Sequence, residues 1–152
     1  MKELHLANAQ ILPVVIALLE EGHTVTLRLR GQSMRPFLED NRDDALLTKA
    51  QPPRRGDVVL ALLPTGQYVL HRIIRIDGED ITLMGDGNLN TEQCKSSDIK
   101  GLALGFYRKG SKHLDSTSGR KWKVYSCLWT RLKPLRRYLL YIYRKLWLRQ
   151  SR

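Results

Sequence analysis

Short strand-like segments separated by glycine and proline turns limit this chain to a mostly β fold. In residues 24–30, apolar side chains alternate with Thr and Arg, which is the period of a half-buried strand. Comparable segments recur along the chain at 45–50, 58–63, 67–76, 81–84 and 102–108. Because turn signals such as Asp77-Gly78 separate them, we expect a coiled antiparallel sheet of barrel-like form.

An apolar run precedes the first predicted strand. Residues 9–21 place apolar side chains at positions 11, 14, 15, 18 and 19, which is the spacing of one helix face. The uncharged run from Leu4 to Leu19 has 16 residues and includes Pro13, whereas a membrane-spanning helix needs roughly 20 apolar residues. A cleavage pattern typical of signal peptides is also missing. We therefore expect a short N-terminal core helix and no transmembrane anchor before the first strand.

The formal net charge of +11 is concentrated at the C-terminal end of the chain. All 15 Asp and Glu lie within residues 1–115, together with fifteen Lys and Arg, so this part has no net formal charge. The other eleven of the 26 Lys and Arg lie in residues 116–152. This pattern predicts a domain over residues 1–110, a polar linker over 111–120 and a basic, aromatic helical tail over 121–152.

The tail has the pattern of an amphipathic helix that Pro134 divides in two. Its apolar residues recur at steps of three and four, at Leu128, Leu132, Leu135, Leu139, Ile142 and Leu146. Interleaved Trp, Tyr, Lys and Arg are typical of an anionic membrane surface. Packing of the tail on the domain or on a partner protein is a second interpretation. The long apolar rows disfavour a third, in which the tail binds nucleic acid.

Three residues are candidates for chemistry. Ser33 lies in a glycine-led turn that could present its hydroxyl as a nucleophile. His71 lies on a predicted strand, and an imidazole can act as a base near neutral pH. Asp86 follows a strand and could orient that histidine. Each also has an ordinary structural interpretation: a turn serine, a strand histidine bonded to a carbonyl group, and an aspartate that caps its own turn.

Taken together, four motifs resemble those of type I signal peptidases. Gln32-Ser33-Met34-Arg35-Pro36 resembles the nucleophile box, and Arg55-Gly56-Asp57-Val58-Val59 resembles the box before the base-bearing strand. His71-Arg72-Ile73-Ile74 stands where bacterial enzymes carry a catalytic Lys and the archaeal and endoplasmic-reticulum branch carries His. Gly85-Asp86-Gly87-Asn88 resembles the Gly-Asp box of that branch. The order of the motifs resembles the signal-peptidase and LexA superfamily, in its His-base branch and in a small form without an N-terminal anchor.

The resemblance implies a serine endopeptidase that cleaves a leader, signal-like or propeptide segment through an acyl-enzyme. Ser33 would attack the peptide carbonyl group, and His71 would take its proton. The carboxylate that orients His71 is open between Asp86 and Glu92, because Glu92 stands where the branch carries a second Asp. The substrate would bind in an extended conformation, along a groove flanked by Gln32, Met34 and Pro36.

Other functions remain open at this point. The same fold could be a catalytically degenerate binding module, although the intact Ser33 and His71 count against it. It could also be a LexA-like regulator that cleaves itself or uses the basic tail on nucleic acid. No metal or cofactor is expected, since no Cys and His spacing suits a zinc site. We expect a cytoplasmic protein, peripheral on an anionic membrane surface through residues 121–152.

Overall fold

The computed structural model describes residues 11–29, 34, 35, 38, 42–109 and 111–150, and their side chains up to residue 146. In this part of the chain, eight antiparallel strands form one curled, half-barrel sheet. The strands are β1 (Val25–Arg28), β2 (Asp44–Lys49), β3 (Val58–Leu62), β4 (Tyr68–Asp77), β5 (Asp80–Met84), β6 (Glu92–Lys95), β7 (Ile99–Tyr107) and β8 (Leu114–Ser116). The predicted fold class is therefore confirmed.

The strands are hydrogen-bonded in the order β1-β2-β7-β3-β4-β5-β6, and β8 pairs with β7. The β4–β5 hairpin turns at Gly78, which has a φ of 60°, in the left-handed region that glycine adopts without steric cost. Asp77 and Asp80 are the last paired residues on each side of this turn. The Asp77-Gly78 signal in the sequence therefore marks a real hairpin.

Two of the strands are absent from the sequence prediction. β6 carries a single buried apolar side chain, Cys94, and pairs only with β5 at the edge of the sheet, so its hydrophobic pattern is weak. β8 has three residues and lies within 111–120, which the charge pattern had suggested to be a linker. Its pairing with β7 fixes the chain immediately before the C-terminal helices.

Among the described residues, three α-helices accompany the sheet: α1 (Ile11–Glu20), α2 (Arg120–Arg131) and α3 (Arg136–Gln150). One 3-10 turn over Lys133–Leu135 contains Pro134 and separates α2 from α3, in agreement with the predicted break. No described helix is long and apolar enough to cross a membrane.

Apolar side chains pack on both faces of the sheet. One cluster includes α1, alternate residues of β3 and Trp122 of α2, and the other includes Val59, Ile73, Ile81 and Leu83. In α1, Leu12, Val15 and Leu19 are buried at helical spacing. The helix approaches β7 closely at Gly101, where a Cβ atom would lie 2.9 Å from Leu19 Cδ1. A side chain at position 101 would therefore require the Leu19 side chain to move.

We expect Leu19→Ala to lower the free energy of unfolding by about 2–5 kcal/mol, because it leaves a cavity between α1 and β7. Val14, on the same helix, is 57% exposed. Val14→Ala is therefore the matched control, with an expected change of less than about 0.5 kcal/mol. Urea unfolding followed by circular dichroism measures both. Equal effects of the two substitutions would contradict this packing.

Candidate active site

The long strand β4 carries the candidate base. Successive residues of a strand point to opposite faces of a sheet, so His71 and Arg72 project in opposite directions. The backbone of β4 is held by β3, in which Val59 is opposite His71, and by β5, in which Met84 is opposite Arg72. Because it is paired on both sides, β4 is a rigid support for two neighbouring side chains with different surroundings.

His71 contacts Glu92 on β6. The distance between His71 Nδ1 and Glu92 Oε2 is 3.0 Å. The histidine side chain is 5% exposed and the glutamate side chain is 26% exposed. Of the two carboxylates that the sequence left open, the one beside His71 in the described structure is therefore Glu92. This partner is brought to His71 by β6, the edge strand that the sequence prediction did not include.

The contact with the Glu92 carboxylate also determines which imidazole nitrogen carries the hydrogen. A carboxylate only accepts hydrogen bonds, so the contact requires a hydrogen on His71 Nδ1. In the neutral ring, Nε2 then keeps its lone pair and can accept a proton. This tautomer is the one that a general base needs when its far nitrogen faces a nucleophile.

Asp86 is engaged on the other face of the sheet. Its two carboxylate oxygens accept hydrogen bonds from Arg72 Nε and Nη2, each at 2.8 Å. Both side chains are 1% exposed, so this is a buried, bidentate ion pair. In the described structure the Asp86 carboxylate therefore binds Arg72 rather than His71.

Helix α2 covers this ion pair. The Tyr125 hydroxyl donates to Asp86 Oδ2 at 2.9 Å, and Trp129 Nε1 donates to the Asp86 carbonyl oxygen at 2.9 Å. Arg72 Nη1 donates to Ser126 Oγ and, at 3.3 Å, to the Gly56 carbonyl oxygen. The network thus joins β4, the turn after β5, the turn before β3 and α2.

The electrostatics of the network follow from its burial. Burial lowers the pKa of Arg72, but the adjacent Asp86 carboxylate outweighs this effect and the pKa is raised. Burial and the negative charge of Asp86 raise the pKa of Tyr125 well above its ordinary value. The Arg72 guanidinium also lies 4.9 Å from the centre of the Trp122 ring, at cation–π distance. Arg72 is therefore cationic and Tyr125 neutral at physiological pH.

Met34 connects the predicted nucleophile box to this network. Its side chain is 5% exposed, and its sulfur accepts a hydrogen bond from the backbone N–H of Asp86 at 3.5 Å. The residue after Ser33 is thereby anchored beside the turn that follows β5. Gln32, Ser33 and Pro36 lie outside the described residues.

Packing of the tail on the domain was the second interpretation of the sequence, and the hydrogen bonds that α2 makes to Arg72 and Asp86 were not predicted. Trp122 and Trp129, which the pattern suggested for a membrane interface, are 4% and 8% exposed and pack on the domain. Trp122, Tyr125 and Trp129 are spaced by three and four residues, so they share one helix face. That spacing was the available signal, but it does not distinguish a buried face from one that contacts lipid. Trp147 lies beyond the described side chains.

Within the described residues, no group of three or more His, Cys, Asp or Glu side chains could hold a metal ion. The described groups at this site are therefore an imidazole paired with a carboxylate on one face of the sheet and a buried ion pair on the other. The ion pair adjoins Met34 through the backbone N–H of Asp86.

Comparison with known families identifies the class of this fold. Residues 3–102 match the family described as Peptidase S24-like, and this span covers α1 and most of the sheet. The chain belongs to the Peptidase S24-like family. No curated protein matches it at a significant level.

Because Tyr125 is buried beside Asp86, we expect the stability of the protein to depend on pH in the alkaline range. Above about pH 10 an unfolded tyrosine loses its proton, whereas the raised pKa of native Tyr125 retains it. The native state then binds more protons, so the free energy of unfolding falls as pH rises, by up to about 1.4 kcal/mol per pH unit for this group.

We expect Tyr125→Phe to reduce this loss of stability, at a cost of about 1 kcal/mol at neutral pH from the missing hydrogen bond. Tyr138 is 65% exposed, so Tyr138→Phe is the matched control and should leave the pH dependence unchanged. Urea unfolding between pH 8 and pH 11 gives both slopes. If all three proteins had the same slope, Tyr125 would not be buried against Asp86.

Proposed function

We propose that this protein is a serine endopeptidase in which Ser33 is the nucleophile, His71 the general base and Glu92 the group that orients His71. The observation that carries the proposal is the 3.0 Å contact between His71 Nδ1 and Glu92 Oε2, in a chain of the Peptidase S24-like family. The second support is the contact of Met34, the neighbour of Ser33, with the turn that follows β5.

In the proposed reaction, His71 Nε2 takes the proton of the Ser33 hydroxyl as its oxygen attacks the peptide carbonyl carbon. The C–N bond then breaks, and His71 returns the proton to the leaving amine. Water hydrolyses the resulting ester by the same steps. A Glu92 carboxylate on Nδ1 keeps the ring in the required tautomer and stabilises the imidazolium that forms.

Asp86 has a different role in this proposal. Its carboxylate neutralises the buried Arg72 and so holds the turn after β5 in place. It acts as a positioning residue, through the Met34 contact, rather than as a partner of His71. This assignment separates two carboxylates that the sequence treated as alternatives.

The proposed substrate is an extended segment of a leader, signal-like sequence or propeptide. An extended peptide satisfies its backbone hydrogen bonds by lying along a sheet edge, and side chains beside the edge select its residues. Gln32, Met34 and Pro36 are the proposed residues of that groove. In the described structure Met34 is buried, so its contribution would come through its backbone or through the shape of the loop.

We expect Ser33→Ala and His71→Ala to lower kcat/KM on a cleavable peptide by at least about 10⁴-fold. Glu92→Gln should lower kcat by roughly 10²-fold or more, because the amide can favour the wrong tautomer. The exposed Glu79 on the β4–β5 turn supplies a matched control, and Glu79→Gln should leave kcat unchanged. Peptides with small residues before the cut, analysed by mass spectrometry, provide the assay.

Asp86→Asn tests the separation of roles. It leaves a buried guanidinium without its countercharge, so the free energy of unfolding should fall by about 3–5 kcal/mol. Glu92→Gln should cost clearly less stability, because its carboxylate is partly exposed. Cleavage that persisted in Ser33→Ala or His71→Ala would contradict the proposal. A stable Asp86→Asn protein with catalysis as impaired as that of Glu92→Gln would reassign the carboxylate.

The same assay distinguishes the alternative functions. A self-cleaving regulator would convert its own chain into two fragments, and Ser33→Ala would stop this conversion. A degenerate module would bind a peptide without cleaving it. The His71–Glu92 contact favours catalysis over a binding module, because a binding module has no need of an oriented imidazole.

We further propose that α2 and α3 bind an anionic membrane surface. Large apolar side chains are exposed along these helices and the turn between them, at Val124, Leu128, Leu135, Tyr138, Tyr141, Ile142 and Leu146. Exposed cations accompany them at Lys133, Arg137, Arg144 and Lys145. The opposite face, with Trp122, Trp129 and Leu140, is buried against the protein. An exposed apolar row beside cations fits the interface of an anionic bilayer.

Leu135 and Ile142 are each 53% exposed, so replacing both with Glu should not disturb packing. We expect the double variant to bind vesicles containing phosphatidylglycerol at least about tenfold more weakly. Val14→Glu with Ile76→Glu makes the same change at exposed positions off the tail and should keep the affinity. Vesicle co-sedimentation measures it. Unchanged binding of the tail variant would contradict this role.

A further inference from the structure

A cleft lies on the face of the sheet away from His71. It has a volume of about 550 Å³ and lies between the turn at residues 54–57 and α2. Its floor includes Gly56 and Ser126, which both accept hydrogen bonds from Arg72. Arg72 and His71 project from opposite faces of β4, so the cleft is separate from the His71–Glu92 pair. Its volume is in the range of small-molecule sites, about 300–1,000 Å³.

The lining of the cleft is strongly cationic. Four basic residues border it: Arg54, Arg55, Lys123 and Arg131. All four are exposed, and in the described part of the chain none of them forms an ion pair with a carboxylate. Positive charges that converge on a concave surface attract anions more strongly than charges on a flat surface do.

The lining contains one carboxylate, Asp57, which already accepts a hydrogen bond from the protein. Its Oδ2 accepts a hydrogen bond from the backbone N–H of Arg54 at 3.0 Å. Burial raises the pKa of Asp57, against the effects of that hydrogen bond and of the Arg54 charge. Asp57 therefore offsets at most one of the four cations, and the cleft keeps a positive field.

Helix α2 places a neutral hydrogen-bond donor, the Ser126 hydroxyl, beside two of the cationic side chains. Lys123, Cys127 and Arg131 are spaced by four residues, so they follow one another along the face of α2 that borders the cleft. Ser126 lies beside them and accepts from Arg72, so its own hydroxyl hydrogen is free to donate. Guanidinium, ammonium and hydroxyl groups are the donors that bind phosphate oxygens.

We propose that this cleft binds a phosphate-bearing ligand, whose phosphate is held by Arg54, Arg55, Lys123 and Arg131. The phosphate could belong to a free small molecule or to a lipid headgroup, and the chemistry of recognition is the same. This site is independent of the proposed peptidase reaction, because it uses none of the residues assigned to catalysis.

Cys127 supplies a direct readout. It is exposed and lines the cleft, whereas Cys94, the other cysteine of the chain, is buried. A ligand in the cleft should shield Cys127 from a neutral alkylating reagent such as iodoacetamide. The full chain is alkylated with and without pyrophosphate, at constant ionic strength set with sodium chloride, and the rate at Cys127 is measured by peptide mass spectrometry.

We expect pyrophosphate to slow the alkylation of Cys127 several-fold and to leave Cys94 unaffected. For Arg55→Gln and for Arg131→Gln, the pyrophosphate concentration that gives half-maximal protection should rise by about tenfold, because each substitution removes a charge-assisted contact. Arg137→Gln removes the same charge from an exposed position outside the cleft and should keep the protection. All three positions are exposed, so folding should not be affected.

Two further arms identify the source of the phosphate. Glycerol 3-phosphate tests a soluble phosphomonoester, and phosphatidic acid in phosphatidylcholine vesicles tests a lipid headgroup. Protection by vesicles alone assigns a headgroup if Arg55→Gln weakens it, because Arg55 lines the cleft but lies outside the helices proposed to contact the bilayer. Protection by the soluble compound assigns a small molecule. The proposal is overturned if neither these ligands nor pyrophosphate protects Cys127. It is equally overturned if Arg55→Gln and Arg131→Gln retain full protection.

Discussion

The buried ion pair between Arg72 and Asp86 is the interaction on which the rest of the site depends. Two charges in a dry interior are costly unless their hydrogen-bonding groups are satisfied. Here Arg72 donates two hydrogen bonds to the Asp86 carboxylate and others to Ser126 Oγ and the Gly56 carbonyl oxygen. The Asp86 carboxylate also accepts a hydrogen bond from the Tyr125 hydroxyl. Because these groups come from four separate segments, the ion pair fixes β4, the turn after β5, the turn before β3 and α2 relative to one another.

Strand β4 carries the buried ion pair on one face and the proposed catalytic base on the other. Its alternation puts Arg72 into the network under α2 and His71 on the opposite face, where the described structure pairs it with Glu92. The same strand therefore holds a buried guanidinium paired with Asp86 and the imidazole that exchanges a proton in the proposed reaction. The proposed catalysis requires Ser33 to meet this imidazole. The next residue, Met34, contacts the backbone of Asp86 in the turn after β5.

Much of this arrangement could be predicted from the sequence, for physical reasons that differ between elements. Alternating apolar residues revealed the strands with a buried face, and Pro134 revealed the break between the C-terminal helices. β6 could not be predicted, because its pairing depends on β5 and it buries only Cys94. The choice between Asp86 and Glu92 depends on that strand, so spacing could not decide it. The aromatic spacing of α2 predicted a helix face but not its partner.

The central claim is that Ser33 and His71 react together while Glu92 holds the imidazole. The most direct measurement is the distance from Ser33 Oγ to His71 Nε2 in a crystal of the protein with a substrate-like peptide bound. We expect this distance to be about 2.6–3.2 Å, with Glu92 still on Nδ1 and the peptide carbonyl group beside Ser33. A bound peptide with Nε2 turned away from Ser33, or with Asp86 in place of Glu92 on the ring, would contradict it.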